Sequence, residues 1–335
     1  MPDRATGGPP RSHVLAAYAA VYVIWGSTYL AIHFAVQTLP PFLMAGGRFL
    51  AAGAILYAFV RLRGAAPRPT AANWRAALVV GGLLLLGGNG GVVWAQQHVP
   101  SGIAALLVAT VPLWMVVIDW LRPGGRRPTL RVAAGIALGL VGLGVLVGPG
   151  MLQGDGNVNP AGAIVLVLAS LSWAAGSLWA PRAALPRVPA MATGMEMLGG
   201  GLLLLVVGLA TGEAGAVDLA SASPVSFAAL LYLILFGSLV GFSAYVWLLA
   251  HEPPARAATY AYVNPVVAVF LGWLLAGERL TGATLLAAAI IIGAVVLIIT
   301  GRATGTGEPP SRPAARPEPV GTRAPARKHR MRASG

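Results

Sequence analysis

Trp94-Ala95-Gln96-Gln97-His98-Val99-Pro100 returns later in the chain as Trp247-Leu248-Leu249-Ala250-His251-Glu252-Pro253. The tryptophan, the histidine and the proline recur at an offset of 153 positions, and so does Pro112 at Pro265. Earlier, Trp25-Gly26-Ser27-Thr28 is echoed by Trp173-Ala174-Ala175-Gly176-Ser177, at an offset of 148. Gly125-Arg126-Arg127-Pro128-Thr129 is answered by Gly277-Glu278-Arg279-Leu280-Thr281. The chain is therefore written twice. Each copy is mostly apolar and reads as an odd number of membrane spans, so the copies enter the bilayer with opposite orientations, the pattern of an alternating-access transporter.

Composition agrees. Of 335 residues, 57% are hydrophobic and only 10% charged, with mean hydropathy +0.75, whereas a soluble domain carries roughly a quarter charged residues. The expected fold class is an all-α polytopic membrane protein. Its ten spans fall at 14–33, 42–61, 75–96, 102–121 and 131–149 in the first half. Those of the second half fall at 160–180, 191–211, 227–249, 256–275 and 282–300. Each approaches the ~20 residues needed to cross the hydrocarbon core, and none alternates as a membrane β-strand would. The domains are then a cytoplasmic segment 1–13, repeats 14–149 and 160–300, and a tail 301–335. The tail is rich in Pro, Arg, Ala and Gly, without apolar periodicity, and reads as disordered. No signal-peptide pattern with a small-residue cleavage site opens the sequence.

With the N-terminus in the cytoplasm, 21 of the 23 basic residues fall in cytoplasmic segments. Only Arg279 lies outside and only Arg48 lies away from the ends of a span, while Asp155, Glu213, Asp218 and Glu278 lie in external loops. Without the tail the count is still 13 against 1. This positive-inside bias accounts for the net charge of +13. No structured nucleic-acid-binding module accompanies it. The sequence points to a lipid bilayer and a small-molecule substrate as partners, and leaves the oligomeric state open. With no cysteine there is no disulfide, thiolate ligand or cysteine nucleophile. No cofactor is expected: no His, Asp and Glu cluster has metal-ligand spacing, and no Gly-x-x-x-x-Gly-Lys-Ser/Thr run marks a nucleotide phosphate loop.

Ionisable residues inside spans are the costliest. Arg48 and Glu196 occupy matching places in the two copies, as Pro41 matches Pro189 and Gly46 matches Gly194. Each lies about 10 Å into the membrane from opposite faces, which leaves roughly 10 Å between them along the normal. They either line a central cavity and bind or gate a zwitterionic substrate, or they satisfy backbone groups and order helix packing. Trp25, Ser27, Thr28 and Trp173 could surround and orient an organic solute, or pack. Asn89, in the run Gly87-Gly88-Asn89-Gly90-Gly91, and Asn264, beside Pro265, add amides within the spans. Pro112 and Pro265 are expected to kink the fourth helix of each copy. The other glycines, Gly81, Gly82, Gly135, Gly139 and Gly199 to Gly201, read as close helix packing. Asp119, one turn from a helix end and near Arg122, reads as a local pair. His33 is expected to reach headgroups or water, and His98 and His251 to share a turn geometry.

These residues resemble the drug/metabolite transporter superfamily, in particular the EamA-domain permeases of the bacterial inner membrane. The resemblance rests on Trp25-Gly26-Ser27-Thr28, on Pro40-Pro41 followed by Arg48-Phe49-Leu50, on the proline-centred fourth and ninth spans, and on Gly277-Glu278-Arg279-Leu280 before a Gly-bearing last span. It covers about residues 14–300. It implies ten helices in two inverted EamA repeats that export small organic solutes such as amino acids, metabolites or drugs. The first copy reads Gly125-Arg126 where the family has Gly-Glu, so any role of that glutamate carries over to Glu278 alone, as a loop cap or in transport. A passive facilitator or channel is the alternative; a membrane enzyme would need a polar cluster that the spans do not contain.

Overall fold

The computed structural model describes residues 10–64, 66–125, 127–153, 159–218, 220–252 and 259–304. Among them all regular structure is helical. The helices are α1 (Arg11–Ala35), α2 (Pro41–Leu62), α3 (Ala71–Ala95), α4 (Ser101–Leu121) and α5 (Leu130–Gln153), then α6 (Pro160–Trp179), α7 (Pro189–Ala210), α8 (224–251), α9 (Tyr260–Ala276) and α10 (Gly282–Thr304). Eight are long and apolar enough to cross a membrane, and Leu130–Leu146 and Val263–Ala276 are shorter apolar stretches. The expected spans lie within a few residues of these helices. Two differences occur at the ends of the chain: α1 begins at Arg11, inside the expected cytoplasmic segment, and α10 runs four residues into the expected tail. Residues 305–335 and 1–9 lie outside the described residues, as does Arg126.

Local sequence sets the helix ends. Proline occupies the first helical position of α2, α6, α7 and α8, where its missing N–H is no loss and its fixed φ suits the helix. Asn159 Oδ1 accepts from the Gly162 amide at 3.1 Å, and Thr70 with Asn73 forms a reciprocal capping box. Gly277 ends α9 at φ 66°, a left-handed cap that a side chain would strain.

Packing uses the small residues as read from the sequence. α2 lies on α7: a β-carbon on Gly53 would stand 2.9 Å from Gly194 O, and one on Gly46 would stand 3.0 Å from Gly201 O. Likewise α5 meets α10 where Gly135 faces Ala294 O at 3.0 Å and Gly142 faces Ile291 at 2.8 Å. Such close approach maximises contact where lipid removes the hydrophobic drive between helices. The outer faces carry Ile55, Phe59, Val141, Leu168, Leu202, Leu231 and Phe270, all exposed, as expected of a surface solvated by acyl chains.

Among the described residues, three stretches within these ten helices depart from α-helical winding. Val21–Trp25 in α1, Gly82–Gly90 in α3 and Leu233–Val240 in α8 are π-helical. The two prolines also differ. α4 is broken into Ser101–Val108 and Val111–Leu121, with Pro112 opening the second piece, whereas Pro265 lies inside an unbroken α9. The expected matched pair of kinks is thus a helix break in one copy and an interior proline in the other. At the break, Thr110 Oγ1 donates to Leu107 O at 2.6 Å, so a side chain supplies a donor where the ladder is interrupted.

The links 36–40, 96–100, 211–223 and 277–281 join successive antiparallel helices and gather at one end of the bundle. Two carboxylates tie the halves together there. Glu213 accepts from the amides of Phe42 (3.1 Å) and Leu43 (2.9 Å), and Glu278 from those of Ser101 (2.6 Å) and Gly102 (3.0 Å). Each completes a helix N-terminus whose amides have no intrahelical partner and whose dipole favours a negative charge. Glu278 is therefore a cap, one of the two roles expected of it. Beside them, Ser226 Oγ donates to Phe34 O (2.7 Å) and accepts from Thr38 Oγ1 (2.8 Å) and Ser223 Oγ (3.0 Å). Ser226→Ala strips all three bonds from a buried site and is expected to cost about 2 kcal/mol, read as a fall in the detergent melting temperature. Asp119 pairs with Arg122 at 2.6 Å, with both side chains part-exposed, so Arg122→Ala should cost under about 1 kcal/mol.

Candidate functional site

Trp25, Ser27, Thr28 and Arg48 converge on residues 232–241 of α8. Trp25 Nε1 donates to Gly237 O at 3.2 Å, and the indole covers Gly241, where a β-carbon would stand 2.8 Å from its Cδ1. Ser27 Oγ donates to Ile24 O (2.8 Å) and meets Tyr232 OH at 2.6 Å. The Thr28 hydroxyl turns back to Trp25 O (2.6 Å), and its methyl faces Gly237. A π segment leaves carbonyls out of register with the α ladder, and here the indole of the other half supplies a donor to one of them.

The second copy repeats the tryptophan-on-glycine contact. Trp173 packs on Gly88 of α3, where a β-carbon would stand 2.9 Å from its Cε3, and Ser172 Oγ donates to Leu83 O at 2.7 Å. Trp25 with Gly241 and Trp173 with Gly88 are the pairs that offsets of 148 and 153 make equivalent. The match inverts at one place: Thr28 faces Gly237, whereas Gly176 faces Leu84. Each repeated histidine lies against the tryptophan four residues before it, His98 5.2 Å from Trp94 and His251 4.3 Å from Trp247, centroid to centroid. The expected common turn is not shared: His98 lies in the turn after α3, whereas His251 is the last residue of α8. The His33 ring lies 5.8 Å from that of Phe34, with Nδ1 buried without a partner and the residue part-exposed.

Arg48 is only 3% exposed. Its Nε donates to Ser238 Oγ at 3.0 Å, its guanidinium carbon stands 4.6 Å from the centroid of the Phe49 ring, and Nη1 is buried without a partner. Glu196 does not reach it. Along the α2–α7 contact, Gly46 matches Gly201 and Gly53 matches Gly194, which sets Arg48 about 5 Å from Glu196 along the axis rather than roughly 10 Å. The separation lies in azimuth. Arg48 turns to α8, while the strip of α7 carrying Glu196 and Gly200 lies on Gly81 of α3. Neither residue forms an ion pair with a described residue.

Asn89 lies in the π segment beside Gly88, and Asn264 packs where its carbonyl faces Gly26. The Oδ1 of each is buried without a partner. Among the described residues no group of three His, Asp or Glu could hold a metal. The sequence reading missed the aromatic cluster on Trp25: Phe242, Tyr245 and Tyr260 lie 5.2, 5.0 and 5.2 Å from its ring. Helical spacing places Phe242 and Tyr245 on one face of α8, and that periodicity was the available signal.

An all-helical, duplicated bundle with glycine-mediated contacts between its halves defines a polytopic membrane protein. The chain belongs to the EamA-like transporter family, within the drug/metabolite transporter superfamily, and the family pattern fits twice, at residues 12–148 and 160–300. It is 45% identical over 292 residues to the uncharacterized inner membrane transporter YedA of Escherichia coli K12, covering 86% of this chain and 91% of that one. It is 27% identical to Protein PecM of Dickeya dadantii, covering 82% and 88%. A solved crystal structure with 21% identity superposes with a TM-score of 0.60 over 88% of this chain and 99% of its own; this likeness concerns the fold alone.

Proposed function

We propose that the chain is a secondary transporter that exports small organic solutes, amino acids or similar metabolites, across the bacterial inner membrane by alternating access. In this reading ten helices span the membrane as two oppositely oriented five-helix units, 14–149 and 160–300, with both termini cytoplasmic. The observation that carries it is the pair of equivalent contacts, Trp25 on Gly241 and Trp173 on Gly88. Two halves that grip each other through equivalent contacts can exchange roles when one rocks against the other, which is how inverted repeats generate inward-open and outward-open states. The π segments beside each contact put irregular backbone at mid-bundle, a place where membrane proteins tolerate it only in contact with protein or a cavity. Arg48, Glu196, Trp25, Ser27, Thr28, Trp173, Asn89 and Asn264 are the groups through which a polar solute would be held. The similarity to YedA, an uncharacterized inner membrane transporter, supports the location.

Purified protein in liposomes should catalyse counterflow of labelled amino acids or metabolites. Ion conduction without solute exchange would instead establish the channel reading. A reporter fused after Gly335 should be active on the cytoplasmic side.

A further inference from the structure

We propose that Arg48 is a binding subsite for the carboxylate of the transported solute, an inference that rests on the transport reading above. The guanidinium sits mid-helix in α2, 3% exposed, where a charge is expensive unless compensated. Its surroundings compensate it only in part. Ser238 contributes a neutral hydroxyl to Nε and Phe49 its ring, and no carboxylate of a described residue stands in ion-pair reach. Glu196, its counterpart in the repeat, forms no ion pair with it.

The orientation of the fork gives the ligand class. Ser238 occupies Nε, so the edge left over is the terminal one, Nη1 and Nη2. Nη1 has no partner. Nη2 stands 3.2 Å from where a β-carbon of residue 237 would lie, so the absence of a side chain at Gly237 leaves that nitrogen its room. Two parallel N–H groups on one edge match the two oxygens of a carboxylate. A phosphate offers the same oxygens, but with up to two negative charges; one guanidinium would leave a residual charge among apolar helices, so the monoanion fits better. Ser238 and Gly237 are contributed by the π segment of α8, which also takes the Trp25 indole bond. Carboxylate binding at Arg48 would therefore be coupled mechanically to the contact between the halves.

The test uses the full-length protein in liposomes. One probe set is the twenty labelled amino acids with lactate and pyruvate; the other is phenethylamine, isoamylamine and agmatine, which lack the carboxylate. Exchange confined to the carboxylates is expected, falling at least tenfold in Arg48→Gln and less in Arg48→Lys, which keeps the charge but not the fork. Gly237→Ala, which leaves the charge untouched, should raise the half-saturating concentration. Equal exchange of amines and carboxylates, or carboxylate exchange within twofold of normal in monodisperse Arg48→Gln, overturns the subsite while leaving transport intact. Absence of exchange with every probe removes the transport reading. The melting temperature of the detergent-purified chain then decides the subsite. A rise with carboxylates, not amines, that is lost in Arg48→Gln supports it; no rise, or one unchanged in Arg48→Gln, overturns it.

Discussion

Gly81→Ala is expected to lower the melting temperature of the detergent-purified protein by several degrees, whereas Gly47→Ala leaves it unchanged or raises it. A β-carbon on Gly81 would fall on the backbone of α7, against Glu196 O and 2.9 Å from Gly200 N. These are main-chain atoms in a regular helix, so no rotamer change can relieve the overlap, and α3 must move off α7. The contact is reciprocal, since a β-carbon on Gly200 would stand 2.7 Å from Gly81 O. Overpacking at such a site costs about 3 kcal/mol. Gly47 is next in sequence to the tightly packed Gly46, yet nothing lies within 4 Å of its added β-carbon, and there alanine only improves helix propensity. Equal melting temperatures for the two variants would contradict the helix contact described here.

Glu278→Ala is expected to destabilise by about 3 kcal/mol, and Glu278→Gln by roughly half as much. The carboxylate holds two amides at the first turn of α4, and Ser101 there is fully buried. Alanine leaves both amides without an acceptor; glutamine keeps one oxygen and sets an N–H against the other donor. Hydrogen exchange at the Ser101 and Gly102 amides separates this from a general loosening, because both should become faster in the alanine variant before the rest of α4 does. Unaltered exchange at these two amides would rule out the cap as a source of stability.

The sequence was most informative where the deciding physics is local or repeated. Span positions followed from apolar runs and their prolines, and the glycine-rich stretches fell at helix contacts because only a missing side chain allows backbones to touch. The Trp–His pairs could be matched because both partners lie within one turn. Azimuth was harder. Depth along a helix placed Arg48 and Glu196 near each other, but which neighbour each faces depends on how α2 and α7 are rotated in the bundle, and that is fixed by glycines elsewhere on the same helices. The π segments left no mark, because a helix with one residue too many per turn has the same composition as one without, and the insertion answers to tertiary contacts. Glu213 was read only as an external charge; its role depends on an α2 N-terminus brought near by folding. Pro112 and Pro265 share a place in the repeat but not an outcome, since Thr110 and Ser170 both bond Leu107 O at the α4 break.

The inverted sizes at one equivalent pair, Thr28 on Gly237 and Gly176 on Leu84, bear on how such a chain came to be a single polypeptide. Two first halves assembled as a homodimer would set Thr28 against Leu84 on both sides, more volume than either native contact holds. Two second halves would set Gly176 against Gly237 and leave a gap. Only the mixed pairing fills the space twice. At this position each half fits the other better than it would fit a second copy of itself.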